Sequence, residues 1–298
     1  MLFEQQLQEC SIPYFVDEPM AKHTSFHIGG PARYFLVPTD EESLIRALRL
    51  IAVQGLRLLI LGRGSNLLVS DEGFDGAVIS TSRLEDVRVG EDGLVYAQCG
   101  AQLRVIANAC ADAALTGFEF AHGIPGTLGG AVRMNAGAYG GEMAQVIRSV
   151  RCYNTLTQEV EEYAPAQLCF AHRHSLLTER GELLLLSATM QLQQGDATAI
   201  YAMMADLKAR RLASQPLEFP SAGSVFKRPV GYLAGKLIED CGLKGYSVGG
   251  AQVSEKHAGF IINRGGATAA DVGALIAHIK NTVYERFGVV LEQEIISI

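Results

Sequence analysis

The chain has 298 residues, 48% hydrophobic and 19% charged, with a net charge of −7. That length suits two or three packed units, because single cores stop growing at about 250–300 residues, and the apolar share excludes extensive disorder. The acidic balance excludes general nucleic-acid binding, which needs a basic footprint, so any anionic ligand has to be held by local groups. Cys10, Cys99, Cys110, Cys152, Cys169 and Cys241 show no C-x-x-C spacing, so neither a disulfide framework nor a zinc ribbon is indicated, and most are expected to be inert core thiols. MLFEQQLQECSIPYF has no basic segment leading into an apolar one, and no run of about 18 apolar residues occurs; the expectation is a cytoplasmic protein with no membrane span.

Residues 1–20 read as a short helix and an arm. From His23, HTSFHIGGPARYFLV sets Gly29, Gly30 and Pro31 before a strand over 33–37. Thr39-Asp40-Glu41-Glu42 reads as a capping box for an amphipathic helix with Leu44, Ile45, Leu48 and Ile51, running to Gly55 and covering a buried strand over 58–61. Gly62-Arg63-Gly64-Ser65-Asn66 follows at the carboxyl end of that strand. It begins like a dinucleotide fingerprint, but Leu67 stands where the third glycine belongs, and LLVSDEGFDGAVIS reads as strand, turn and strand. A Rossmann unit is therefore disfavoured, and no G-x-x-x-x-G-K-[ST] is present to suggest a P-loop.

A second α+β unit begins near Arg83 with a hairpin turning at Glu91-Asp92-Gly93. Residues 102–115 carry a helical stripe of Leu103, Ile106, Ala107, Cys110, Ala114 and Leu115, stopped by Gly117. Then comes GIPGTLGGAVRMNAGAYGG, from Gly123 to Gly141, too rich in glycine for a long regular helix. Without a Cβ, glycine lets main-chain N–H groups approach a ligand closely, which is how loops cradle phosphate oxygens; ordinary turns rarely need so many in succession. Two such loops, about sixty residues apart, can close on one pyrophosphate from opposite sides.

Beyond the second loop, 146–153 and 159–163 read as paired strands and 183–192 as a strand buried on both faces. In LCFAHRHSLL, from Leu168, an extended chain would put Phe170, His172 and His174 on one face and Ala171, Arg173 and Ser175 on the other. The H-x-H pair lacks the further ligands that a structural site needs, so no metal is expected. Residues 196–212 read as a helix with Arg210 and Arg211 near its C-terminal end, where cations suit the dipole. Gln215-Pro216 to Phe219-Pro220 reads as a linker. After it come a helix over 232–241 ended by Gly242, a strand over 258–263, a helix over 268–287 opened by a Thr268-to-Asp271 capping box, and a final strand over 289–296. Ser224 follows Gly223 in SAGSVFKRP with no G-x-S-x-G elbow, which disfavours a hydrolase nucleophile.

At HTSFHIGGPA, LGRGSNLL, GIPGTLGGAVRMNAGAYGGE, SAGSVFKRP, AGKLIEDCGLKG and GGAQVSEKHAGFIIN the chain resembles the FAD-containing UDP-N-acetylenolpyruvoylglucosamine reductases of peptidoglycan synthesis. These pieces cover nearly the whole chain in family order. The resemblance implies an α+β fold in which a two-part FAD-binding domain of the PCMH/VAO type, residues 1–82 and 83–213, precedes a C-terminal α+β substrate-binding domain, residues 214–298. It implies non-covalent FAD, NADPH as co-substrate, a nucleotide-sugar substrate, and a monomer. By resemblance the cofactor contacts are Gly62, Arg63, Gly64, Ser65, Asn66, Gly123, Pro125, Gly126, Thr127, Gly129, Gly130, Asn135, Ala136 and Gly137, and the substrate contacts are Arg211, Lys227, Arg228 and His257.

The resemblance also implies the chemistry. NADPH passes hydride to FAD, the reduced flavin delivers it to the methylene carbon of the enolpyruvyl group, Arg173 and Glu294 stabilise the resulting enolate, and Ser224 protonates the adjacent carbon. A serine hydroxyl is a weak acid, so this role needs a strongly basic acceptor and nearby positive charge. Glu292 would share a strand face with Glu294 and is the fallback for the carboxylate. Arg228 stands where many relatives carry an asparagine that contacts the nucleotide, and the lack of an extended tyrosine-bearing substrate loop points to the shorter branch of the family. Two other readings stay open: a sugar or hydroxy-acid oxidase on the same FAD scaffold, with His122 available for covalent flavin attachment, and a non-catalytic nucleotide-sugar-binding protein.

Overall fold

A computed structural model describes residues 3–298; Met1 and Leu2, where the expected N-terminal helix would begin, lie outside the described residues. The chain gathers into two units that interleave along the sequence: residues 1–15, 35–62 and 77–210 form one, and residues 16–34, 63–76 and 211–298 form the other. Among the described residues no helix is long and apolar enough to cross a membrane.

The first unit is built on a five-stranded antiparallel sheet in the order Glu159–Tyr163, Ile147–Asn154, Leu183–Gln191, Leu94–Gln98, Val87–Val89. Leu183–Gln191 lies at its centre, paired on both edges and mostly buried, as its leucine-rich first half suggests. The hairpin turns where expected, with Asp92 at φ 57° and its carbonyl accepting from Gln191 Nε2 at 2.7 Å. The helix Glu41–Val53 buries Leu44, Ala47, Leu48 and Ile51. Its Glu41 grips Arg151 of the sheet bidentately, at 2.9 and 3.0 Å. The strand Leu58–Leu61 runs parallel to residues 77–80, with Leu58 opposite Ala77.

Several local expectations are corrected here. The capping box of that helix lies one residue later than Thr39 to Glu42: Asp40 is the cap, its Oδ1 accepting from Ser43 N–H at 2.7 Å and Ser43 Oγ accepting from Asp40 N–H at 3.1 Å. In Leu58–Leu61 only Leu61 is buried; the other three are half-buried. The helix Leu103–Asp112 stops short of Leu115 because Ala114 turns to φ 54°, and Leu115–Thr116 pairs instead with Gln193–Gln194. Burial pushes the thiols of Cys99, Cys110 and Cys152 up to about 12, which makes them inert at neutral pH.

The second unit holds a three-stranded antiparallel sheet, Ser247–Val248, Ala251–Val253 and Ile261–Asn263, with the helices Ala234–Asp240 and Ala269–Phe287. The long helix turns Val272, Leu275, Ile276, Ile279 and Val283 inward at helical spacing, onto a core that includes Phe26, Val225, Leu237 and Ile295. Each such fully buried side chain contributes about 1.5–3 kcal/mol. The final segment is not the continuous strand expected over 289–296. It pairs through an isolated bridge between Gln293 and Phe226, and then as the strand Ile296–Ser297, parallel to Leu67–Leu68.

The first turn of Ala269–Phe287 is satisfied from three sides. Thr268 Oγ1 accepts from Asp271 N–H at 3.0 Å, and Asp271 Oδ2 accepts from Thr268 N–H at 3.0 Å and Gly250 N–H at 3.2 Å. Asp71, far away in sequence, accepts from Ala269 and Ala270 N–H at 2.7 and 3.0 Å. These amide bonds, that from Thr268 first, hold the Asp271 carboxyl below its ordinary 3.8; the stabilisation is complete above that ordinary value and is lost as pH falls through the depressed one. Asp71→Ala is expected to cost about 1 kcal/mol, a fall of a few degrees in the thermal midpoint. An unchanged melting curve would show that water replaces the carboxylate without loss.

Candidate active site

The first glycine loop has its root in one unit and its tip in the other. In the first unit Gly62 lies so close to the second loop that a Cβ on it would fall 2.4 Å from Thr127 Oγ1. Thr127 is buried and bridged to Gln102, and Leu128 and Gly129 donate to Ala101 O and Cys99 O at 2.9 and 2.8 Å, so the second loop is fastened to the segment before the helix Leu103–Asp112. In the second unit Gly64 turns at φ 58°, and a Cβ there would fall 2.3 Å from His23 O.

Not every glycine is reserved for a ligand. A Cβ on Gly137 would fall 2.6 Å from Gly141 O, and one on Gly141 would fall 2.5 Å from the Phe120 ring, so packing of the loop on itself and its neighbours demands both. Gly130 differs: a Cβ there meets Thr127 Oγ1 at 4.0 Å and no closer atom. Among the described residues, the amides of Arg63, Gly64, Gly126 and Gly130 donate to no main-chain acceptor. At the entry to the second loop the buried Nδ1 of His122 has no hydrogen-bond partner among the described residues. Burial first, then Lys208 and Arg104, keep that imidazole below its ordinary pKa and hence neutral. Within the first unit, the bare amides of Gly126 and Gly130 and the unsatisfied ring nitrogen of His122 fit a loop that holds an anionic cofactor group such as a diphosphate.

Arg173 is carried by a turn and not by an extended strand. Ala171 and His174 exchange two main-chain bonds of 3.1 Å, with Arg173 between them at φ 54°. Holding a residue with a Cβ in the left-handed region costs about 1–2 kcal/mol, and such strain collects at functional sites. Arg173 Nη1 donates to Gly137 O at 3.4 Å. His174 serves the local structure instead of a metal: Nδ1 meets Thr178 Oγ1 at 2.9 Å and Nε2 meets Glu179 at 3.3 Å.

In the second unit the main chain assembles Ser224, Glu294 and Asn66. Gly223 turns at φ 82° and sends 224–227 out as an extended segment between two others. Ser224 is bridged to Phe260, Val225 N–H donates to Gly259 O at 2.9 Å, and Glu294 N–H donates to Val225 O at 2.8 Å. Ala222, Val225 and Phe226 are core residues while Ser224 is exposed. Asn66 Nδ2 donates to Glu294 O at 3.3 Å, and Ile296 N–H donates to Asn66 O at 2.9 Å. The main chain therefore joins the Ser224 segment, Glu294 and the tip of the first glycine loop in one hydrogen-bonded network. Glu292 is 71% exposed in its side chain and paired with Lys227 at 3.2 Å, whereas Glu294 is half-buried.

The remaining predicted contacts differ in character. Arg228 is exposed and Arg211 half-buried. His257 is held below its ordinary pKa, chiefly by burial; its Nδ1 accepts from Gly259 N–H at 3.1 Å and its ring stands edge-on to Phe260 at 5.0 Å. It is a neutral imidazole with Nε2 as its donor. Sequence reasoning missed Ser25, whose Oγ donates to Ser221 O at 2.7 Å and whose N–H donates to Gly64 O at 3.2 Å, linking the glycine loop to the Ser224 segment. It also missed Asn263, which donates to Phe26 O at 3.1 Å and accepts from Gly265 and Ala267 N–H. Both lie inside motifs noted in the sequence, and that was their only signal.

Known proteins identify the family. A family model described as "FAD binding domain" matches residues 32–159, and one described as "UDP-N-acetylenolpyruvoylglucosamine reductase, C-terminal domain" matches residues 215–298. The UDP-N-acetylenolpyruvoylglucosamine reductase of Clostridioides difficile (strain 630) is 48% identical over 280 residues, 94% of this chain and 91% of that protein. The chain belongs to the UDP-N-acetylenolpyruvoylglucosamine reductase family. As a member it is an oxidoreductase, with an FAD-binding domain of the PCMH/VAO type ahead of the family's C-terminal domain. The crystal structure of the reductase from Thermus caldophilus superposes with a TM-score of 0.81 at 32% identity, covering 96% of this chain and 98% of that one. BBE-like 1 of Physcomitrella patens shares the fold alone, with a TM-score of 0.52 at 15% identity over 65% of this chain and 45% of its own.

Proposed function

We propose that this enzyme reduces the enolpyruvyl group of UDP-N-acetylglucosamine enolpyruvate to give UDP-N-acetylmuramate, with NADPH as reductant and non-covalent FAD, in peptidoglycan synthesis. The observation that supports the reading is the network joining the Ser224 segment, Glu294 and Asn66, since it brings a serine and a carboxyl group to the tip of a glycine loop. FAD, when bound, would supply hydride transfer between NADPH and the methylene carbon of the substrate. Residues 1–82 and 83–213 hold it through the amides of the two glycine loops, residues 214–298 bind the nucleotide sugar, and the enzyme works as a cytoplasmic monomer.

Addition of hydride leaves an enolate, whose negative charge the Arg173 guanidinium stabilises, with the Glu294 carboxyl group as a hydrogen-bonding partner. Ser224 gives its hydroxyl proton to the adjacent carbon, an acceptor basic enough to make so weak an acid effective. Lys227, Arg228, Arg211 and the Nε2–H of His257 are the groups offered to the nucleotide. The purified protein should be yellow, bleach with NADPH in the absence of oxygen, and regain its colour when the enolpyruvyl substrate is added. Colour that fails to return would refute the assignment of substrate.

The two carboxylates can be separated by exchange for glutamine. Glu294→Gln is expected to slow flavin reoxidation by substrate roughly 10–10²-fold, the size of one charge-assisted hydrogen bond. Glu292→Gln, which breaks only an exposed ion pair, should change it less than about twofold. Reversed magnitudes in stopped-flow reoxidation would move the role to Glu292.

A further inference from the structure

Asn135 lies in the second glycine loop, and only 1% of it is exposed. Its Nδ2 donates to Ala171 O at 3.0 Å and its Oδ1 accepts from Ala144 N–H at 2.9 Å. Each end of the amide thus has a partner inside the protein, and at 1% exposure little of the side chain is open to a cofactor. Ala171 opens the tight turn that holds Arg173 at φ 54°, and Gly137, two residues after Asn135, receives the Arg173 guanidinium through its carbonyl.

The turn needs this support. Among the described residues ten without a glycine backbone have positive φ, and Asn135, Tyr139, Cys169 and Arg173 of these two segments are four of them. Arginine prefers the right-handed region, so an untethered turn would relax and swing the guanidinium away. Two more ties between the segments, from Arg133 to Leu177 O and from Ser175 Oγ to Arg133 O, reach the chain beyond the turn. Asn135 holds its root.

We propose that Asn135 is a positioning residue for Arg173: its buried amide locks Ala171 to Ala144 and so fixes where the Arg173 guanidinium stands. The inference rests on the reading of Arg173 as the cation that stabilises the enolate.

The test uses the FAD-loaded enzyme. Asn135→Gly removes both bonds yet suits the left-handed backbone; Asn135→Asp keeps the acceptor for Ala144 and loses the donor for Ala171. Both variants are expected to keep the parent's flavin spectrum and its rate of reduction by NADPH, while reoxidation by substrate slows about 10–10²-fold, as a displacement of ~1 Å does. Asn135→Asp regains rate as pH falls and its carboxyl takes up a proton that it can donate to Ala171 O; Asn135→Gly does not. Arg173→Ala is slower than either, and combining it with Asn135→Gly adds no further loss. Unchanged reoxidation in Asn135→Gly, full additivity of the two changes, or loss of flavin by both Asn135 variants overturns the proposal. Parent-like reoxidation in Arg173→Ala overturns the reading of Arg173 and the proposal with it.

Discussion

Ser224→Ala is expected to bind FAD and accept electrons from NADPH as the parent does, while reoxidation by the enolpyruvyl substrate slows by about 10²–10⁴-fold, the contribution of a positioned general acid. The structure makes this a clean experiment. The serine side chain is exposed, whereas its neighbours Val225 and Phe226 fill the core and the main chain is held from both sides by Gly259 and Glu294. Removing one exposed hydroxyl should therefore change stability by less than about 0.5 kcal/mol. Stopped-flow absorbance resolves the two half-reactions separately. Equal losses in both would mean that Ser224 shapes the site without donating the proton.

Gly62→Val is expected to cost the cofactor, with FAD affinity falling on the order of 10²-fold. Its Cβ would overlap Thr127 Oγ1 at 2.4 Å and lie 3.4 Å from Thr127 Cβ and Cγ2, so the root of one loop and the body of the other must part. Overpacking of this kind costs about 1–3 kcal/mol, and a loss of 2.7 kcal/mol in binding is roughly a hundredfold in Kd. Gly62→Ala should be milder, because a threonine hydroxyl can rotate away, and Thr127→Ala should rescue it. Titration of the flavin-free protein by fluorescence gives the constants. A valine variant with parental affinity and a lowered thermal midpoint would assign the close approach to folding alone.

Elements with strong local signals were legible in the sequence. The helix Ala269–Phe287 has both partners of its capping box, Thr268 and Asp271, three residues apart, and the strand Leu183–Gln191 opens with four leucines in succession. Elsewhere distant pairing overrode the local pattern. Leu115–Thr116 left the helical stripe for Gln193–Gln194, and the segment after Gly288 paired in fragments with Phe226 and Leu67–Leu68. The H-x-H alternation around Arg173 suggested an extended chain because nothing in those residues announces a left-handed arginine.

The candidate site was legible as motifs but not as connections. Resemblance placed Ser224, Arg173 and Glu294 in roles, and face-sharing along a strand could not separate Glu294 from Glu292; burial and the Lys227 ion pair distinguish their surroundings. What each glycine is for also depends on neighbours, since Gly137 and Gly141 are demanded by packing while a Cβ on Gly130 would come only into ordinary contact with Thr127 Oγ1, at 4.0 Å. Ser25 reaches across 196 positions to Ser221, and Asn135 across 36 to Ala171, separations over which periodicity carries no information.

The bond between Asn66 and Glu294 spans 228 positions. A chain emerging from the ribosome therefore displays its first glycine loop long before the partner that braces the loop's tip has been synthesised. Closing so wide a separation is slow, so the loop's tip is braced late in folding, after the local helices and hairpins have formed.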